Sequence, residues 1–166
     1  MPFPTMVTDR SEDDLSTYDV LRSAIFNRTA TQDEWDEWLA LVKGAYNTTD
    51  LNRVGEAIDY LAQELTAHGS LVNVTTKQDW AKTDVPMPVQ MQNYLYGVEK
   101  IRESLSMPPS APPVPDDMVL LSYTEANNIE EILQTIYDLL TNLLANLDNA
   151  WAMGIAYTGL FAKEAE

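Results

Sequence analysis

The chain has no cysteine and a single histidine, His68, among its 166 residues. The first absence rules out a disulfide framework and any thiolate metal site. Together they exclude zinc in practice, because zinc needs several histidine or cysteine ligands. A Ser-His-Asp triad would have to use His68, and no serine lies in a G-x-S-x-G turn. There is no GxxxxGK[ST] phosphate loop and no GxGxxG. The acidic pairs Asp13-Asp14, Asp116-Asp117 and Glu130-Glu131 lack the alternating oxygen ligands and central glycine of an EF-hand. No residue is therefore assigned to catalysis, to a cofactor or to a metal, and a protein that is not an enzyme is expected.

Basic residues are also scarce. Ten Lys and Arg face 26 Asp and Glu, a net charge of −16. Phosphate backbones are repelled by such a surface, so direct nucleic-acid binding is not expected. The charge gives solubility. It also suits a second reading, a small acidic inhibitor or adaptor that occupies the nucleic-acid cleft of a basic protein. Long apolar runs are missing too. The greasiest stretch, 129–147, is interrupted by Glu130, Glu131, Gln134, Asp138 and Asn142, so no membrane span is expected. The first ten residues lack the basic start and apolar stretch of a signal peptide.

What is present is helical periodicity. The pattern predicts a mainly α fold, a bundle of four to five helices with a short extended or β segment and a proline-rich connector. Leu51, Val54, Ile58, Leu61 and Leu65 recur at spacings of three and four, one stripe of a central helix over 49–68. Thr48 or Thr49 can cap its start and Gly69 its end. His68, in its last turn, suits capping of exposed carbonyls. Gly55 lies inside that helix, where close approach of another helix would explain it. Arg53 and Glu56 read as a surface pair.

Residues 1–10, with Pro2 and Pro4, read as an extended arm, and the helical domain spans 11–147. Ser11 and three acids open a helix to residue 27, with Leu15, Tyr18, Leu21 and Ile25 as its stripe. Thr31 and Glu34 fit a capping box for a helix over 31–43, with Trp35, Trp38, Leu39 and Val42 buried and Gly44 as C-cap. Residues 70–76 alternate and read as an extended segment, one strand of a small hairpin. A helix follows over 88–106 on a stripe of Met91, Leu95, Val98, Ile101 or Arg102, and Leu105, with Tyr94 and Tyr96 flanking the stripe. The connector 107–115, MPPSAPPVP, forbids helix. Thr124 would cap the last helix, running to 147 with a stripe wider than one face. That width suggests two neighbours, its own bundle and a partner chain, or equally a helix buried wholly within its own bundle. The apolar tail 148–166 reads as a contact segment that covers the bundle or meets a partner. The residues expected to make protein contacts are Leu140 and Leu144 on the exposed flank of the last helix, and Trp151, Tyr157, Leu160 and Phe161 in the tail.

Several phrases carry a resemblance: VTDRSEDDL, EWDEWLALVKGAYNTTDLNRVGEAIDYLAQEL, TKQDW, PVQMQNYLYGVEKIRESL, a proline-rich link, then MVLLSYTEANNIEEILQTIYDLL. In this order they resemble a tail-associated minor structural module of phages and prophages from gut Firmicutes. The match runs from Val7 to about Leu147. The resemblance implies a virion component at the tail tip, fibre or baseplate, made in the host cytoplasm. It implies other phage structural proteins, or further copies of the chain, as partners. It carries over no catalytic residues. A hydrolytic tail enzyme is the weaker alternative.

Overall fold

The computed structural model describes residues 2–40 and 43–162, with side chains to Trp151. The protein is mainly helical: α1 (Glu12–Asn27), α2 (Gln32–Leu39), α3 (Thr48–Ala67), α4 (Pro88–Glu103) and α5 (Tyr123–Ala162). α1 and α2 form a hairpin, while α3, α4 and α5 pack mutually around one core. No strand occurs among the described residues. The 70–76 segment is extended but pairs with nothing as a ladder, and Leu71 is fully exposed.

All five stripe residues of α3 are buried, and they meet Tyr94, Leu95, Val98 and Ile101 of α4 and Ile129, Ile132, Leu133, Ile136 and Leu140 of α5. Each such aliphatic side chain taken out of water contributes about 1.5–3 kcal/mol. Asn47, not a threonine, caps α3. Its Oδ1 accepts from Thr49 and Asp50 N–H, and Asp50 reaches back to the Asn47 N–H. Asn-x-x-Asp is a capping box, and its occupants win because Asn and Asp accept at short range. At the other end Gly69, at φ +97°, allows a full Schellman closure. Ser70 N–H donates to the Leu65 carbonyl and Gly69 N–H to that of Thr66. His68 sits at the C-cap with Nδ1 2.8 Å from the Glu64 carbonyl.

Tyr94 is part of the buried face of α4, not a flank of its stripe. It is buried, and its hydroxyl accepts from Trp80 Nε1 at 2.7 Å while facing the carbonyls of Lys77 and Leu51. Burial pushes this phenol up to about 12. The same knot explains Gly55: a Cβ there would stand 2.8 Å from the Lys77 carbonyl oxygen and 3.0 Å from the Tyr94 hydroxyl. The close neighbour is thus mainly the extended segment, not a second helix. The proline-rich connector is more than a spacer, since Met107 and Val114 pack against the core and Pro115 is buried.

The hairpin departs most from expectation. α2 ends at Leu39 with Ala40 as C-cap, short of Gly44, and has no buried residue. Val42 lies outside the described residues. In α1 only Leu21 is buried. Trp38 stacks on Tyr18 at 5.4 Å, but Trp35 and Leu39 stay exposed, as do Val20 and Phe26 of α1. Two turns of helix cannot cover both tryptophans, so this face remains open. Gly44 instead lets its loop pass against α1, where a Cβ would meet the Asp14 carbonyl.

Candidate interaction surface

The N-terminal arm is laid along the bundle and fixes the base of α5. Phe3 stacks on Tyr137 at 4.2 Å and meets Tyr60 edge-on at 5.6 Å. Val7 N–H donates to Glu130 Oε2 at 2.6 Å. Asn127 pairs with the Arg10 backbone in both directions, accepting from its N–H at 3.0 Å and donating to its carbonyl at 2.9 Å. Phe3, Val7 and Arg10 thus meet successively earlier turns of α5, so the arm runs antiparallel to it.

Beneath the arm lies a buried charge cluster. Arg10 donates to Asp50 at 2.8 Å and to Glu130 at 2.6 Å. Arg53 donates to both Glu130 oxygens, at 2.8 and 2.7 Å, and to Asp50. Two cations and two anions cancel, which is how such groups tolerate removal from water. Burial works against the charged Arg53, yet the hydrogen bonds and charge of Glu130, with Asp50, raise it above its ordinary value. Arg53 is therefore no surface partner of Glu56, and the adjacent pair Glu130-Glu131 splits between core and solvent. Tyr46 packs its ring against Arg10 at 5.4 Å. Burial, then the charges of Glu130 and Asp50, push its phenol well above the usual value. Within the cluster Arg10 Nε and the Tyr46 hydroxyl are buried without a hydrogen-bond partner.

The rest of the surface holds open clefts. One, of about 350 Å³, lies between hairpin and bundle and is lined by Tyr18, Trp38, Tyr46, Leu51, Lys82 and Pro86. No group of three or more His, Asp or Glu able to hold a metal occurs among the described residues.

α5 is the element that leaves the fold. Ser122, not Thr124, caps it: Glu125 N–H donates to Ser122 Oγ, and Glu125 accepts from the Ser122 N–H at 2.8 Å. Ser-Tyr-Thr-Glu is a capping box readable in the sequence. The helix does not stop near Leu147 but continues to Ala162, 40 residues in all, because 148–153 contains neither glycine nor proline. Its first half is core. Leu140 is buried there, so it is not part of an exposed flank. Leu144 is half-buried against the core. Beyond Leu140, Leu143, Leu147 and Trp151 are 48%, 49% and 73% exposed. Tyr157, Leu160 and Phe161 lie on the helical backbone, but their side chains fall outside the described residues. Of the expected contact residues, Leu144 and Trp151 flank the outward stretch. Leu143 and Leu147 were missed as contacts although they belong to the same leucine stripe. No described helix is long and apolar enough to cross a membrane.

Comparison with known proteins finds no matching family model, no matching curated protein and no matching solved structure.

Proposed function

We propose that the protein is a non-enzymatic assembly module of a phage particle, connecting or oligomerising a tail, fibre or baseplate element. The observation that carries the assembly part is the course of α5. One continuous helix is anchored in the core to Leu140, then continues for about 22 residues, about 33 Å. Leu143 and Leu147 there are about half exposed among the described residues. Large apolar groups left in water along a helix mark a surface meant to be covered. The virion part rests on the sequence resemblance, and the partners follow from it: other structural proteins of the particle or further copies of this chain.

The test is mass spectrometry of particles purified from the host that carries the gene. The chain is expected in the particle fraction, and deletion of 148–166 is expected to remove it from particles while the remaining helicity persists by circular dichroism. Recovery only in the soluble host fraction overturns the virion reading. The net charge of −16 favours the alternative, an acidic inhibitor of a basic host protein. That reading requires a complex that weakens steeply with salt.

A further inference from the structure

We propose that α5 beyond Leu140 pairs with the same segment of a second copy, as a coiled coil seamed by Leu143 and Leu147 and flanked by Leu144 and Trp151. The inference rests on the assembly reading above and names the partner.

Three observations commit the seam to a second copy. The first is register. Ile129, Leu133, Ile136 and Leu140 follow at spacings of four, three and four and are all buried, and Leu143 and Leu147 continue at three and four without a break. The exposed seam is therefore the prolongation of an interface already packed against α3 and α4. A sustained seven-residue repeat has the period of a left-handed coiled coil, and a helix of identical repeat matches it along its whole length. The second is the opposite face. Thr141, Asn142, Asp148 and Asn149 fall at the outer heptad positions and are exposed, so the segment is two-faced. The third is charge. Asp148 is the one side chain charged at neutral pH from Leu139 to Ala162, in a chain of net charge −16. Two copies can approach here without like-charge opposition. A strongly basic partner would find nothing on this face to recognise.

Sedimentation equilibrium of the full chain tests this, with two double variants. Wild type at tens of micromolar is expected at no less than twice the chain mass. Leu143→Asp with Leu147→Asp is expected to sediment as a monomer with unchanged helicity, since both side chains are half-exposed and the core ends at Leu140. Val20→Asp with Phe26→Asp, on the open hairpin face, is expected to keep the wild-type mass. A monomeric wild type, an unchanged mass for the α5 variant, or dissociation by the hairpin variant overturns the proposal. So does a monomeric wild type that binds neutral lipid vesicles through Leu143 and Leu147. The two readings fail separately. A monomer recovered in particles defeats self-pairing alone, and a dimer absent from particles defeats the virion role alone.

Discussion

Glu130 shows how much one side chain can organise. It is fully buried and accepts from the Val7 backbone, Arg10 and Arg53. Removing it leaves two guanidinium groups facing Asp50 alone. Glu130→Ala is expected to cost about 3–5 kcal/mol, read as a fall in the urea midpoint, because a buried charge without its partner keeps the full desolvation penalty. Gly55 makes the opposite point about helix preference. Alanine is better than glycine in a helix interior by about 1 kcal/mol. Here its Cβ would press on the Lys77 backbone carbonyl, which cannot swing aside as a side-chain tip could. Gly55→Ala is therefore expected to lower the thermal midpoint, and a rise would show that the 70–87 segment gives way freely. Neither role is legible locally: Arg10 and Glu130 are 120 positions apart, and charges that meet across the fold leave no periodic trace.

Among the elements, α3 was legible because it is covered on more than one side, so its whole stripe had to be apolar. The helix starts at Ser11 and Thr31 were legible for a different reason, since a capping box is a local pattern. The same pattern at Ser122 and Asn47 lay one or two residues from the threonines read as caps. The hairpin misled because two tryptophans at spacing three look like core whether or not anything covers them. Caps also give the fold a defined acid response. Hydrogen bonds from Thr31 hold Glu34 below its usual 4.5, those from Ser122 do the same for Glu125, and Ser11 lowers Asp14 below 3.8. A carboxyl lowered by folding stabilises fully above its unfolded value, and that contribution is lost as pH falls through the lower folded value. Carbon-13 titration of the side-chain carboxyls should place Glu34 and Glu125 below 4.5, and Thr31→Ala should return Glu34 towards it. A Glu34 midpoint that ignores Thr31→Ala would contradict the cap.

For the whole molecule the governing fact is uneven charge: an acidic bundle bearing a nearly uncharged rod. Repulsion between bundles reaches about 30 Å at 0.01 M salt and about 8 Å at 0.15 M. Self-pairing through α5 should therefore strengthen as salt rises, whereas capture of a basic partner should weaken. Light scattering at the two salt concentrations separates them by sign, and association that falls with salt would point away from the rod. This division was only half legible. The leucines of 139–147 announced a surplus of apolar surface, but where the bundle stops covering them depends on how far α3 and α4 reach, which no local pattern records.

The arm clasped onto α5 also sets an order of events during synthesis. Arg10, Asp50 and Arg53 leave the ribosome long before Glu130 does, and until it arrives they carry a net positive charge with no place to bury it. The arm therefore waits, unfastened, until Glu130, 120 positions after Arg10, has been made. The apolar rod follows Glu130 in the chain, so it emerges only after the acid that fastens the arm. A nascent chain is thus spared a sticky rod before it has a body to hold it.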